Sequence, residues 1–350
     1  MSVDLSKLLV KKKITLEELK DNIIAVDAYN TLFQFLSIIR QPDGTPLMDA
    51  HGNVTSHLSG LFYRSIELIQ NDIKLVYVFD GIPSMLKQKT IEARMRRRSE
   101  ALKAWQAAKE AGEIEEARAH AQASTRIDKN IVEGARALLD MMGIPYINAP
   151  SEGEAQASHM ARKGTVDAVI SQDYDTLLFG APRILRNINI SGKRKLPRKE
   201  VYITVEPEEV SLEGTLGQLG VSQEQLIWIG ILLGTDFNDG IKGVGPKTAL
   251  KIARSAKSID DIKDYVKTKY NTEFELDIRE VEQLFLNPEV SDVDREYILN
   301  EVDEQPNQAE LIKFMCDEHG FSRERIERYV SLLASKKGSA RQRGLNAWFK

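Results

Sequence analysis

Three short runs of β-branched and aromatic residues each lead into a carboxylate, and the stretches between them carry helical periodicity. Ile23–Asp27 reads IIAVD, Leu75–Asp80 reads LVYVFD, and Val166–Ile170 reads VDAVI and leads into SQDYD. Each run is short, apolar and bounded by turn signals, Gly81 and Pro83 closing the second, as expected for strands buried on both faces. The intervening apolar run of Leu32, Phe33, Phe35, Leu36 and Ile39 reads as helix, as do His57–Gln70 and Ile131–Met142. Alternation of this kind predicts an α/β fold, a mostly parallel central sheet with helices on both faces. Ligands in such sheets bind beyond the carboxyl ends of the strands. Asp27, Asp80 and Asp173 fall there.

With 350 residues, 42% of them hydrophobic and 29% charged, the chain can bury one large core or two smaller ones. One cysteine, Cys316, excludes an intramolecular disulfide, and five histidines form no zinc-like cluster with it. There is neither a secretory apolar segment nor a membrane-spanning run, so an intracellular protein is expected. The net charge of −4 conceals local asymmetry. Bases gather in Lys87–Arg98, in Arg183–Lys199 and in the last fifteen residues; acids gather at the strand ends and again from Glu273 onward. An acidic centre flanked by basic patches suits a polyanion cut with the help of metal ions.

Seven carboxylates stand out: Asp27, Asp80, Glu152, Glu154, Asp173, Asp175 and Asp236. Glu152 and Glu154 lie two apart in PSEGEAQA, Asp173 and Asp175 have the same spacing in SQDYDTL, and Asp236 lies in LLGTDFNDG. Such a cluster is costly unless a cation neutralises it. Magnesium or manganese, which prefer oxygen ligands, would be the occupant. Two such ions about 4 Å apart activate water and stabilise a leaving oxygen in phosphodiester hydrolysis. Taken singly, an Asp after a strand is also a turn former or helix N-cap, and Asp239 beside Gly240 suits a turn.

Residues Met85–Lys129 are rich in Ala, Glu, Lys and Arg and read as exposed helix interrupted at Gly112. Lys87 and Arg94, seven apart, share a helix face, with Arg96, Arg97 and Arg98 close behind. Facing the acids, they would hold a scissile phosphate; otherwise they are a solvated charged face. Phe33, six residues after Asp27, would stack on a base or serve the core. GIKGVGPK, residues 240–247, reads as a glycine hairpin, with Gly243, Gly245 and Lys247 placed to meet a duplex backbone and Pro246 suited to the next helix start. From Lys336 onward the chain reads as a flexible arm whose Gln342, Leu345, Trp348 and Phe349 form an apolar hook for a partner's groove.

The motifs IIAVDAYN, LVYVFDG, PSEGEAQA, ISQDYD, LLGTDFN and GIKGVGPKTA, in this order, resemble the archaeal flap endonucleases of the structure-specific 5′-nuclease (XPG-like) family over nearly the whole chain. The resemblance implies a PIN-like nuclease core, a helical arch over the active site, and a helix–hairpin–helix that holds duplex. It implies 5′ flap endonuclease and 5′–3′ exonuclease activity in Okazaki fragment maturation and base excision repair. It further implies two Mg2+ held by the seven carboxylates, with Mn2+ as substitute, and K+ at the hairpin. Phosphate steering falls to Lys87 and Arg94 and base stacking to Phe33, where relatives commonly carry tyrosine. The tail QRGLNAWF resembles the box that docks on the sliding clamp (PCNA), and the nuclease itself is expected to be a monomer in the archaeal cytoplasm or nucleoid. Relatives usually begin Met-Gly; here residue 2 is Ser2.

The expected division is 1–84 and 131–225 for the two parts of the nuclease core, 85–130 for the arch, 226–335 for the duplex-binding region and 336–350 for the tail. Within enzymes, the alternatives are a related 5′–3′ exonuclease or repair endonuclease. These usually carry a longer carboxy-terminal extension or a much longer insertion at the arch. A structural junction-binding protein without catalysis would have lost cluster acids, and all seven are present.

Overall fold

The computed structural model describes residues 3, 5–189, 192–195 and 202–348. Strands β1 (Lys11–Lys13) and β2 (Ile23–Asp27) come first, followed by helices α1 (Ala28–Ile38) and α2 (Ser56–Gln70). Strand β3 (Lys74–Phe79) leads into a helical pair, α3 (Gln88–Glu110) and α4 (Ile114–Ala123). Then come α5 (Lys129–Met142), β4 (Tyr146–Asn148), α6 (Gly153–Arg162), β5 (Ala168–Ile170), the one-turn α7 (Asp175–Leu178) and β6 (Arg183–Arg186). A hairpin of β7 (Gly192–Lys195) and β8 (Tyr202–Val205) stands apart from the main sheet, and β9 (Glu208–Ser211) returns to it. The rest is helical: α8 (Leu212–Leu219), α9 (Gln223–Leu233), α10 (Pro246–Ser255), α11 (Ile259–Tyr270), α12 (Ile278–Leu286), α13 (Arg295–Val302), α14 (Gln308–Ile312) and α15 (Arg323–Trp348). No described helix is long and apolar enough to cross a membrane.

The sheet order is β1-β9-β6-β5-β2-β3-β4. The strands from β6 to β4 run parallel; β9 and β1 are added antiparallel at one edge. The three acid-terminated runs are therefore the adjacent central strands β5, β2 and β3. Their register aligns the ends: Asp27 pairs with Val78, and Val26 with Ile170. Side chains alternate between the two faces as strand geometry requires. Ile23 and Ala25 enter one apolar core and Ile24 and Val26 the other, all at most 1% exposed. Burial of each larger aliphatic chain stabilises the fold by about 1.5–3 kcal/mol, which is what forces the carboxyl ends of these strands into one plane.

The α3–α4 pair is exposed as expected. The buried side chains are Ala108 in α3 and Ala117 and Ala121 in α4. The break falls at Gly112, whose φ of +75° is in the left-handed region that favours glycine. Trp105 Nε1 donates to the Asp43 carbonyl at 3.2 Å, and Lys109 pairs with Asp43 at 2.9 Å, fixing α3 to the loop after α1.

The carboxy-terminal segment differs from the expected flexible arm, because helix α15 runs on to Trp348. Just past Lys336, the buried Lys337, 4% exposed, ties the helix to the body of the protein. Its Nζ donates to the carbonyls of Gly143, Val302 and Glu304 at 2.6, 2.9 and 3.0 Å. A sequence rich in Lys, Ser, Gly and Arg has no apolar stripe to announce this anchor. The backbones of Gln342, Leu345 and Trp348 belong to α15; their side chains, with Phe349 and Ser2, lie outside the described residues.

Candidate metal centre

The carboxyl ends of the central strands open into a cavity of about 580 Å³. Six of the seven singled-out acids line it: Asp27, Asp80, Glu152, Glu154, Asp173 and Asp236. Asp175, 2% exposed, lies at its back, with carboxylate oxygens of Glu154, Asp173 and Asp175 all within 4.8 Å of one another. Lys87, Arg94 and Phe33 line the same cavity.

Each acid is held by its local structure. Asp27 ends β2 and caps α1, its Oδ1 accepting from Asn30 N at 2.9 Å. Its Oδ2 accepts from the Ser171 hydroxyl at 3.2 Å, a contact across 144 residues made possible by the β2–β5 register. Thus Asp27 is an N-cap and a cavity acid at once. Asp80 Oδ1 accepts from Gly153 N at 2.7 Å, so the amino terminus of α6 points at the acids. A Cβ on Gly153 would come within 2.7 Å of Asp80 Oδ1 and displace that carboxylate. Glu152 is the N-cap position of α6 and Glu154 lies in its first turn, favourable for negative charge at a helix start. Asp175 N donates to Asp173 Oδ1 at 3.1 Å, and Asp175 Oδ1 accepts from Val3 N at 3.5 Å.

The bases descend from α3 and the turn before it. Lys87 Nζ pairs with Glu152 and lies 3.7 Å from Asp236 Oδ2; Arg94 pairs with Asp236 Oδ1. Burial disfavours charge on Lys87, but Glu152 and Asp236 prevail and its pKa is raised. Asp236 is likewise buried, yet Arg94 and Lys87 hold its carboxyl below the usual range. Asp27, Asp80, Glu154 and Asp175 go the opposite way. Burial, then repulsion from Asp80 and Asp173, pushes Asp27 up to about 7. Burial pushes Asp80 up to about 6, Lys87 opposing and Glu152 adding to the rise. Burial, followed by repulsion from Asp173, raises Glu154 and Asp175 well above the carboxylate range.

Those shifts describe acids whose repulsion is not met by the two bases alone. Glu152 Oε1 is buried with no hydrogen-bond partner among the described residues. The cavity lining contains no histidine or cysteine. An all-oxygen, carboxylate-rich donor set fits a hard divalent cation such as Mg2+ or Mn2+.

Other sequence-selected residues are placed differently. Arg96 and Arg97 are exposed on α3 and do not line the cavity. Arg98 does, with its guanidinium 5.8 Å from the Phe33 ring centre. Its four-residue spacing from Arg94, one helical turn, was the signal that could have selected it over Arg96 and Arg97. Tyr29 and Asn30, which close the motif IIAVDAYN, and Ile127 also line the cavity, and the sequence assigned no role to them. Gly243, in the turn between α9 and α10, and Lys247, in the first turn of α10, are exposed outside the cavity. Gly243 has φ +87°, Gly245 is the N-cap of α10 and Pro246 is its first residue. Asp239 is solvent-facing, 3.8 Å from Lys89 Nζ, in keeping with a turn residue.

Comparison with known proteins places this geometry in context. Residues 3–101 match the XPG N-terminal domain and residues 143–236 the XPG I-region. Flap endonuclease 1 of Pyrococcus furiosus is 49% identical, over 100% of both chains. That of Thermococcus onnurineus is 48% identical, over 100% of this chain and 99% of its own. Among solved structures, flap endonuclease-1 from Methanococcus jannaschii superposes with a TM-score of 0.73 at 36% identity, covering 97% of this chain and 99% of the other. The catalytic core of Rad2 in complex with DNA substrate gives 0.66 at 25% identity, covering 92% and 96%.

Proposed function

This chain belongs to the archaeal flap endonucleases of the XPG family, and on that premise we propose how its residues divide the work of cutting DNA at a 5′ flap. It is a structure-specific 5′ flap endonuclease with a two-metal nuclease site. The observation that carries the assignment is the meeting of strand-end acids with Lys87 and Arg94 in one cavity. Asp27, Asp80, Glu152, Glu154, Asp173, Asp175 and Asp236 are the residues that would hold two Mg2+, or Mn2+ in their place. The bound pair supplies the charge that activates water and stabilises the departing oxygen.

The chain's own groups do the rest. Lys87 and Arg94 turn from their carboxylate partners to the scissile phosphate and offset charge as it develops. Phe33, backed by Arg98, supports the unpaired base next to the cut. Residues 85–130 form the helical arch that accepts the free 5′ strand. Their sparse apolar contacts suit a segment that orders around a partner. The hairpin of Gly243, Gly245 and Lys247 grips the downstream duplex backbone, with K+ as a suitable companion ion, and salt weakens this grip by competing with phosphate contacts. The products are a flap ending in a 3′-hydroxyl and a duplex beginning with a 5′-phosphate. The same site trims recessed 5′ ends, which suits Okazaki fragment maturation and base excision repair. Metal-dependent cleavage of a double-flap substrate, with the product ends mapped, tests the reading. Cleavage without divalent ions, or no preference for the flap junction, would overturn it.

Lys87→Ala or Arg94→Ala is expected to slow single-turnover cleavage by about 10²–10³-fold while changing DNA affinity far less. An equal loss in affinity would make them simple phosphate clamps. The tail with Gln342, Leu345, Trp348 and Phe349 is read as the docking segment for the sliding clamp (PCNA). Truncation after Gly338 keeps the Lys337 anchor. It is expected to leave cleavage by the free enzyme unchanged and to abolish stimulation and capture by the clamp; a pull-down that survives truncation would refute the docking role.

A further inference from the structure

Helix α6, which carries Glu152 and Glu154 at its start, is bonded to a strap that lies far from it in sequence. Segment 291–295, from the loop after α12 to the first residue of α13, contacts α6 and the loop that follows it. Gln156, 0% exposed, makes the innermost contact. Its Nε2 donates to Ser291 O at 2.8 Å, and its Oε1 accepts from Ser291 N at 2.8 Å. One side-chain amide thus bonds both main-chain groups of a single residue, as a residue of a neighbouring strand would. Farther along, His159 meets Asp292 at 2.7 Å and Thr165 donates to Val293 O at 2.8 Å. Arg295 then reaches Gly164 O at 2.7 Å and Asp167 at 3.2 Å.

We propose that Gln156 is a positioning residue that sets the carboxylates of Glu152 and Glu154 by tying α6 to the Ser291 main chain. Gln156 lies two residues after Glu154 and four after Glu152 on the same short helix, and its N–H donates to Glu152 O at 3.1 Å. A second tie acts at the adjacent turn, where the Ser158 hydroxyl donates to Glu154 O at 2.6 Å and lies 3.1 Å from Thr176 O. A helix of ten residues carrying acids at its first turn is free to tilt or slide unless its flank is fixed. A displacement of about 1 Å at a metal ligand is enough to impair catalysis. Gln156 is fully buried and does not line the cavity, so its effect passes through Glu152 and Glu154, and the inference rests on their reading as metal ligands.

The test is Gln156→Met, which keeps chain length and bulk while removing both hydrogen bonds. Mn2+ dependence of single-turnover cleavage, direct Mn2+ binding and thermal stability are measured together, with Ser291→Ala as control. The expected result is an apparent Mn2+ constant about tenfold higher, a rate restored by excess Mn2+, and unchanged DNA affinity in EDTA. Ser291→Ala is expected to match the parent, because the contact uses only the Ser291 main chain. Unchanged Mn2+ binding in Gln156→Met, with or without a fall in thermal stability, overturns the proposal. Should Gln156→Met not fold, Ser291→Pro removes the N–H that Oε1 accepts and is read by the same criteria. Glu154→Gln is assayed alongside; parental Mn2+ binding there would overturn the ligand assignment itself, and the positioning role with it.

Discussion

Asp80→Ala or Asp173→Ala abolishes cleavage, lowering the single-turnover rate by at least about 10³-fold, while flap DNA still binds: this is the largest expected effect of any substitution in the chain. Loss of an acid that holds catalytic ions removes several kcal/mol of transition-state stabilisation, and about 1.4 kcal/mol corresponds to tenfold in rate. Both acids stand beyond the carboxyl ends of central strands and line the cavity. Neither forms part of the exposed hairpin of Gly243 and Lys247 expected to hold duplex. Binding titrations and single-turnover cleavage on the same substrate separate the two quantities. Near-parental rates for both variants would remove the assignment of the cavity as the active site.

Asp27→Asn stabilises the metal-free protein at neutral pH while abolishing its activity. Burial and the neighbouring acids raise Asp27 to about 7 and Asp80 to about 6. A carboxyl whose folded pKa lies above its unfolded value favours folding fully below the unfolded pKa. That contribution is lost as pH rises from about 4 through about 7, because the unfolded chain then sheds its protons more readily. The penalty at neutral pH is of order 3 kcal/mol for Asp27. Asparagine keeps the size of the side chain and its acceptor for Asn30 N without the charge. In EDTA at pH 7.5 the variant should melt several degrees above the parent, and the gap should close toward pH 4. Mn2+ should stabilise the parent increasingly over the same pH range and the variant much less. A variant no more stable than the parent in EDTA at pH 7.5 would show that the acids are not mutually destabilising.

The parallel sheet and its acids were legible because the signals are local. IIAVD, LVYVFD and VDAVI are short β-rich runs, and a strand buried on both faces has few other sequence forms. The break at Gly112 and the helix start at Pro246 were legible for the same reason, each residue carrying its own backbone preference. The β7–β8 hairpin was not anticipated, since β7 reads GKRK with no apolar residue to mark a strand and β8 is the four-residue run YITV alone. The extension of α15 was hidden because its anchor is a lysine, a residue type that normally points to solvent. Helix spacing offered Lys87 and Arg94 a phosphate role beside that of a solvated face, and Phe33 a stacking role beside that of core; the resemblance chose the functional reading.

Sequence alone determined three of the central strands, that each leads into an acid, and that basic segments and a glycine-rich turn lie elsewhere in the chain. Tertiary structure decided that β5, β2 and β3 are neighbours and that Glu152 and Glu154 arrive from α6 to meet them. It also decided that Arg98 rather than Arg96 or Arg97 faces the cavity, and that Gln156 is bound to Ser291. The physical reason is range. Backbone preference and burial pattern are properties of a few adjacent residues, whereas contacts such as Ser171 with Asp27 or Gln156 with Ser291 span more than a hundred residues and exist only once strand order and helix packing are set.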